Sequence, residues 1–312
     1  MLKKAGLLFS ALVLAAMFFN SCARHEYEYD QNNALKENIY VLLIGIDGWG
    51  SYSLEKADIP NIKAFMREGA YQERALNIMP AITLPNWTTM WTGSTTDRHG
   101  VQNNNEPPAP LPSVKDKFGV YPNIFGLLRA SDKNAETGYI YEKAKMRFLV
   151  PDKVPSFKKE IRGISYDLSS LNPVTEYIKT KKPRFAAIVF GGPDQIGHSD
   201  GHDTPAYYET LRQIDEAVGI IKQACIDAGI YENTVFVFSA DHGGHGKTHG
   251  DDIPSDREIP VVFSGKGIKN NYAIQRQVNI YDIVPTIAVI LGLNPPEEWN
   301  GTALTEILSE AV

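Results

Sequence analysis

The sequence predicts an α/β fold, a mostly parallel central sheet with helices on both faces. Three observations predict it. Residues 39–46 (IYVLLIGI), 184–190 (RFAAIVF) and 234–239 (TVFVFS) are short, continuous apolar runs, the mark of strands buried on both faces of a parallel sheet. Between them the apolar period lengthens to that of a helix, most clearly over 205–228, where Leu211, Ile214, Val218 and Ile221 share one face. Each run also stops at polar or glycine-rich turn residues: Asp47-Gly48, then GGPDQIGH, then Ala240-Asp241-His242-Gly243-Gly244. Strand–helix alternation of this kind leads to parallel layers.

In chain order, Lys3 and Lys4 precede an apolar stretch from Ala5 to Phe19, followed by Asn20, Ser21 and Cys22. The stretch is too short for a comfortable membrane span and reads as a secretion signal. Its Ser21–Cys22 ending resembles a bacterial lipoprotein signal, with 1–21 removed and Cys22 lipidated; an ordinary signal peptide cut nearby is the alternative. The expectation is an exported bacterial lipoprotein, anchored to the membrane through its N-terminal lipid and facing the periplasm or the cell surface. A Cys22–Cys225 pairing, the only disulfide two cysteines allow, is then not expected, and Cys225 in its helical pattern reads as a small buried thiol. Residues 22–38 are polar and without period, a tether, and 39–312 form the folded domain. A chain of 312 residues with 43% hydrophobic content can bury a large core. The net charge of −6 and the lack of a Lys/Arg-dense run argue against nucleic acid as a partner.

Within the domain, the strand at 39–46 ends at Asp47, 59–68 reads as a helix closed by Gly69, and 70–79 returns as a strand. Thr83 stands just ahead of Pro85 and an apolar run (Trp87, Met90, Trp91), which places it at a helix N-terminus. Unpaired backbone N–H groups make that position a seat for a phosphate, a sulfate or an attacking alkoxide, the plainer alternative being a helix cap. The proline-rich, charged segment from about 105 to 170 fits the alternation least. With one helix (123–130) and one strand (137–141), it reads as an insertion near the site. Residues 259–264 form a short strand, and 281–291 a helix closed by Gly292.

The chemistry collects at strand ends, where open α/β sheets bind ligands. Asp47 follows one strand, Asp194 and His198 another, Asp241 and His242 a third, with His245 and His249 behind. Any one cluster reads as a polar turn. Three clusters at carboxyl ends point instead to a mixed carboxylate–imidazole metal site, of the kind that takes Zn²⁺, Mn²⁺ or Co²⁺ rather than Ca²⁺.

The motifs IGIDG, TLPNWTTMWTG…DRHG, GGPDQIGH and SADHGG, the trailing His-Gly, and the closing DIVPTIAVILGL…WNGTAL resemble the alkaline phosphatase superfamily, nearest its type I phosphodiesterase/nucleotide pyrophosphatase branch. The resemblance runs from Asp47 to about Leu304. It implies two divalent ions, usually zinc, and a hydrolase of phosphodiester or pyrophosphate bonds in small phosphorylated substrates, acting through a phospho-threonine. By motif, Asp47, Asp241 and His242 with the Thr83 oxygen would hold one ion, and Asp194, His198 and His249 the other, with His245 the competitor for the last place. Asn104 matches the side-chain amide that contacts a phosphoryl oxygen, while His99 reads as structural. Thr83-Leu84-Pro85-Asn86 lacks the Cys or Ser that sulfatases need, and Leu84 replaces the aromatic residue that stacks on a base in nucleotide-cleaving relatives. Tyr139, Tyr141 or Tyr166 could substitute. A phosphomonoester or phosphonate hydrolase, with Lys143 and Lys145 binding substrate, is the same-fold alternative, the plainer reading of both lysines being a solvated loop. A non-catalytic, lipid-anchored binding protein is the alternative of a different class.

Overall fold

The computed structural model describes residues 25–30, 32–108 and 114–309, so the expected signal segment and Cys22 lie outside the described residues. Strand β1 (His25–Tyr27) leads into β2 (Tyr40–Ile46), whose residues from Val41 on are all buried. A short turn of helix, α1 (Ser53–Lys56), and α2 (Pro60–Arg67) then connect to β3 (Gly69–Leu76). Helices α3 (Thr83–Thr92) and α4 (Thr96–His99) follow, then β4 (Val114–Asp116), α5 (Ile124–Ser131), β5 (Thr137–Tyr141), β6 (Phe157–Glu160) and α6 (Asn172–Lys181). The second half comprises β7 (Phe185–Phe190), α7 (Gly192–Ser199), α8 (Pro205–Asp227), β8 (Thr234–Ser239), α9 (Pro254–Arg257), β9 (Glu258–Gly265), β10 (Tyr272–Ala273) and α10 (Ile283–Ile290).

Eight strands form one sheet in the order β10-β3-β9-β8-β2-β7-β5-β6. The three apolar runs occupy its middle: β2 pairs parallel with β7 on one side and with β8 on the other. Only β9 runs backwards, antiparallel to both β8 and β3. Helices α2, α6 and α7 pack on α8, while α5 and α10 pack on α3, and the sheet lies between these two groups. The expected fold class therefore stands.

Helix α3 is buried along its whole length. Trp87 and Trp91 stack with ring centroids 5.4 Å apart, and Trp87 passes so close to β2 that a Cβ on Gly45 would lie 2.4 Å from its ring. The first glycine of IGIDG is thus needed for space. A Trp87→Ala truncation here costs about 3–5 kcal/mol.

Two segments differ from expectation. The segment read as a polar tether is docked from His25 onward: β1 pairs with β4, and the Tyr29 hydroxyl donates to Asp116 Oδ2 at 2.8 Å. Asn33 is buried and accepts from the Asn294 N–H. Its polar residues spend hydrogen bonds on the domain, and only Tyr29, with the partly buried Tyr27 and Leu35, supplies apolar contact, so no sustained apolar period was there to read. The segment read as an insertion instead completes the sheet: β5 pairs parallel with β7, and β6 with β5, at one edge. Short, partly exposed strands carry weak patterns, which is why β6 and its neighbours looked irregular.

Candidate metal centre and active site

Four adjacent strands, β5, β7, β2 and β8, end on the same side and deliver the site. Asp47 directly follows β2, Asp241 and His242 follow β8, and Asp194 sits in the first turn of α7 just after β7. Lys143 follows β5. Thr83 comes from the far side of the crevice as the first residue of α3; Ile82 is the cap, and no side chain caps the helix. The Thr83 hydroxyl is consequently not spent on its own helix. It lies 3.5 Å from His242 Nε2 and is wholly buried. Asn104 Oδ1 accepts from the Leu84 N–H at 2.8 Å, which ties Asn104 to the start of α3.

Three histidines are turned the same way. His242 Nδ1 donates to the Gly243 carbonyl (2.8 Å), His249 Nδ1 to the Ala81 carbonyl (2.9 Å) and His198 Nδ1 to the Lys247 carbonyl (3.1 Å). Each such bond fixes the tautomer and leaves Nε2 as a lone pair, the orientation of a metal-binding imidazole. These lone pairs meet carboxylate oxygens: His242 Nε2 lies 3.3 Å from Asp241 Oδ2 and 3.7 Å from Asp47 Oδ1, and His249 Nε2 lies 3.3 Å from Asp194 Oδ1. Asp194 Oδ1 and Asp241 Oδ2 are buried without a hydrogen-bond partner. Lone pairs facing lone pairs at these distances repel unless a cation lies among them.

Two tight donor groups result, Asp47–Asp241–His242 and Asp194–His242–His249, with His242 in both. His198 stands just outside the second, 3.5 Å from Asp194 Oδ1, with its side chain 49% exposed at the mouth. His245 is turned away: its Nδ1 meets Asp256 Oδ1 at 2.8 Å. A third group, His245–Asp251–Asp256, is a brace, because both oxygens of Asp256 are already taken by His245 and by the N–H groups of Gly250 and Asp251.

Burial, opposed in part by Asp194, lowers the pKa of His242, and burial together with His242 pushes His249 down to about 4. Both rings are therefore neutral at physiological pH, as metal ligands must be. Burial, reinforced by Asp47 and Asp194, raises the Asp241 carboxyl well above the usual range. Burial works the same way on Asp194, but the neighbouring Lys143 ammonium together with His242 and His249 outweighs it and holds this carboxyl low.

Lys143 is not the solvated loop residue that the sequence made the plainer reading. Its ammonium reaches Asp47 Oδ1 at 2.8 Å and bonds Asp194 Oδ2, with its side chain 19% exposed. Lys145 lies beyond it in the 3-10 turn Ala144–Phe148, without an ion pair among the described residues. His99 is structural: Val101 N–H donates to Nδ1 and Nε2 meets the Thr89 hydroxyl at 2.9 Å. Of the three tyrosines considered for base stacking, Tyr139 and Tyr141 are buried. Tyr166 is exposed, its hydroxyl donating to the Gly192 carbonyl at the start of α7.

Sequence reasoning missed Asp256 and the Trp87 Nε1–H that donates to Asp47 Oδ2 at 3.2 Å. Asp256 sits among DDIPSD residues typical of any polar loop, so nothing local marked it. The Trp87 contact was foreshadowed by Gly45, a small residue inside a strand.

The chain matches the sequence model of the type I phosphodiesterase/nucleotide pyrophosphatase family over residues 41–107 and 131–279. Human bis(5'-adenosyl)-triphosphatase is 23% identical over 291 residues, covering 88% of this chain and 59% of that protein. A 2,3-bisphosphoglycerate-independent phosphoglycerate mutase of Clostridium tetani is 25% identical over 212 residues, 62% of this chain and 40% of the enzyme. The chain thus spans well under two thirds of the length of these curated relatives. Among solved structures, murine ectonucleotide pyrophosphatase/phosphodiesterase 5, an inactive variant in complex with AMP, superposes with a TM-score of 0.71 at 14% identity, covering 87% of this chain and 100% of that one. A phosphonate monoester hydrolase from Silicibacter pomeroyi gives a TM-score of 0.65 at 15% identity, covering 86% of this chain and 76% of that one. These likenesses establish the fold.

Proposed function

This chain belongs to the type I phosphodiesterase/nucleotide pyrophosphatase family, and from that premise we propose that it hydrolyses phosphodiester or pyrophosphate bonds in small phosphorylated substrates, with Thr83 as nucleophile and two divalent ions, zinc in the first instance. The observation that carries the proposal is the set of oriented lone pairs beside Thr83: three histidine Nε2 atoms and two orphaned carboxylate oxygens, a donor set suited to divalent cations. Asp47, Asp241 and His242 would hold one ion, with Thr83 beside them. Asp194 and His249 would hold the other, with His198 closing it from the mouth. Bound there, the ions supply positive charge that lowers the pKa of the Thr83 hydroxyl and offsets charge building on the phosphoryl oxygens.

The chain's own residues do the rest. Burial at the start of α3 keeps Thr83 in one place and out of bulk water. The Thr83 oxygen attacks phosphorus while the bond from phosphorus to the leaving oxygen breaks, and the hydroxyl proton passes through solvent to that leaving group. A water then attacks phosphorus, breaks the bond to the Thr83 oxygen, and leaves the phosphoryl product and a reprotonated Thr83. Asn104, held by the Leu84 N–H through its carbonyl oxygen, has its amide N–H groups for a phosphoryl oxygen. Tyr166 offers an exposed ring at the edge of α7 where a base or other flat leaving group can stack.

Asn104 is a neutral donor, suited to the single charge of a diester. The test is an aryl phosphodiester against the matching monoester at one pH with saturating metal. The expected kcat/KM ratio favours the diester by roughly tenfold or more, since one misplaced charge in a desolvated site is worth a few kcal/mol. Faster monoester turnover, lost in Lys143→Ala, would establish the phosphomonoester or phosphonate reading instead, which the ammonium at the centre of the site favours. We also propose that the protein is a membrane-anchored lipoprotein modified at Cys22. Labelled fatty acid should enter the wild type and not Cys22→Ser, and a wild type that fractionates as soluble would refute it.

A further inference from the structure

Asp47 has two carboxylate oxygens, and both are spoken for. Oδ2 accepts from Trp87 Nε1, and Oδ1 accepts from the Lys143 ammonium. The Trp87 bond is fixed by a buried, stacked ring, while Lys143 occupies Oδ1, the Asp47 oxygen that lies 3.7 Å from His242 Nε2 in the donor group. The same ammonium bonds Asp194 Oδ2 and so links the two donor groups.

Lys143 is not there by chance of a floppy side chain. Its neighbour Glu142 is pinned by the N–H groups of Gly191 (2.7 Å) and Gly163 (3.0 Å) and by the Ser165 hydroxyl, which fixes the root of the arm. The arm reaches the carboxylates across Gly191, where a Cβ would stand 3.0 Å from Lys143 Cγ and 3.4 Å from Cε. A bare glycine keeps that path open.

We propose that Lys143 is a built-in competitor of the divalent ions: its ammonium and an ion bound at Asp47 exclude one another, so metal binds by displacing the lysine. The inference rests on the two-metal reading above. The ammonium balances part of the charge of Asp47, Asp194 and Asp241 when no ion is bound, and the same contact lowers the affinity of the site, which makes occupancy depend on the supply of metal. A four-carbon arm rooted at the end of β5 is free, once displaced, to swing toward solvent or substrate.

The experiment is calorimetric titration of Mn²⁺ into the metal-stripped full-length protein, as wild type, Lys143→Met and Lys143→Arg, with thermal unfolding of each before and after loading. Lys143→Met should bind the ion roughly tenfold more tightly or better, since no ammonium then has to be displaced from the carboxylates. Its metal-stripped form should melt below the wild type, and its gain in Tm on loading should be the larger. Lys143→Arg, which keeps the charge, should stay within about threefold of the wild-type Kd. Equal or weaker binding by Lys143→Met, with ions still bound by the wild type, overturns this inference alone. Absence of binding by either protein overturns the two-metal reading and displacement with it. Should Lys143→Met fail to fold, Lys143→Gln removes the charge with a polar side chain and must also tighten binding; unchanged affinity there overturns the proposal.

Discussion

Replacing Asp256 by alanine isolates the brace behind the site from the ligands themselves. Asp256 is fully buried, and its carboxylate takes His245 Nδ1 (2.8 Å), Gly250 N (2.8 Å), Asp251 N (2.9 Å) and the Ser255 hydroxyl (3.3 Å). Its own carbonyl oxygen accepts from Gly243 N and Asn77, and those bonds survive the substitution. Alanine strands two backbone N–H groups that the carboxylate now satisfies, at about 1–3 kcal/mol each, and partial rescue by water leaves a net loss of about 3 kcal/mol. For a domain of this size that is a fall in Tm of roughly 6–12 °C. The functional loss is separate. Gly250 adjoins His249, and releasing it frees the loop that carries that ligand, while Asp241 and His242 remain fixed by β8. A displacement of about 1 Å at a reacting centre costs on the order of 100-fold in rate. Asp256→Asn keeps one acceptor oxygen and should fall between. Calorimetric Tm, bound-metal stoichiometry and phosphodiester turnover under saturating metal are the measurements. A Tm within 2 °C of wild type, a difference of about 1 kcal/mol or less, together with turnover within roughly threefold, would show that the 243–253 loop is held by something other than Asp256.

The other predictions test the site, the core and the strap in turn. Thr83→Ala should cut turnover by about 10³ or more while bound metal, measured by atomic emission, is retained; turnover kept within tenfold would assign the attack to water. Chelation should abolish activity and added divalent ion should restore it, whereas a chelated, fully active enzyme would end the two-metal reading. Burial lowers His99 from 6.5 to about 3, so between those values the unfolded chain binds a proton that the folded chain does not. Stability is therefore full above pH 6.5 and falls as the pH drops, by ~1.4 kcal/mol per unit from this group; His99→Gln should lose that slope, so the stability difference between wild type and variant should shrink by the same amount per unit in urea titrations. Tyr29→Phe removes the hydroxyl that meets buried Asp116 and should cost ~1–2 kcal/mol in the same titrations; an unchanged midpoint would mean the strap contributes nothing to the fold.

The middle of the sheet was legible because β2, β7 and β8 are buried on both faces, with polar residues only at the ends of β8, Thr234 and Ser239, to interrupt the apolar runs. The donors at their ends were legible for the same reason, since Asp and His directly after such a run have nowhere to go but the crevice. The reversed direction of β9 was not: an antiparallel strand between two others carries the same apolar residues. Lys143 was read as exposed because its neighbours Glu142, Lys145 and Arg147 are charged, and only the three-dimensional path across Gly191 shows that it points inward. Residues 25–38 looked like a linker because their attachment is a three-residue strand, scattered hydrogen bonds and the side chains of Tyr27, Tyr29 and Leu35, with partners up to 261 positions away in sequence.

Asp47, Asp194 and Asp241 leave from three hydrogen-bonded neighbours, β7-β2-β8, so the backbone ladder acts as a ruler for the site. Strands lie about 4.8 Å apart, and paired catalytic ions in such centres are about 3.5–4 Å apart, a match that loops alone would not hold. Whatever sets the distance between the two charges is thus written into sheet register, which changes only in whole-residue steps. The loop surface that would face substrate under the proposed reading, at Asn104 and Tyr166, lies outside the strand ladder and is bound by no such quantisation. It can lengthen, shorten or exchange its aromatic residues by small increments while the spacing of the charges stays constant. Substrate preference in this architecture can therefore drift continuously, and the reaction type cannot.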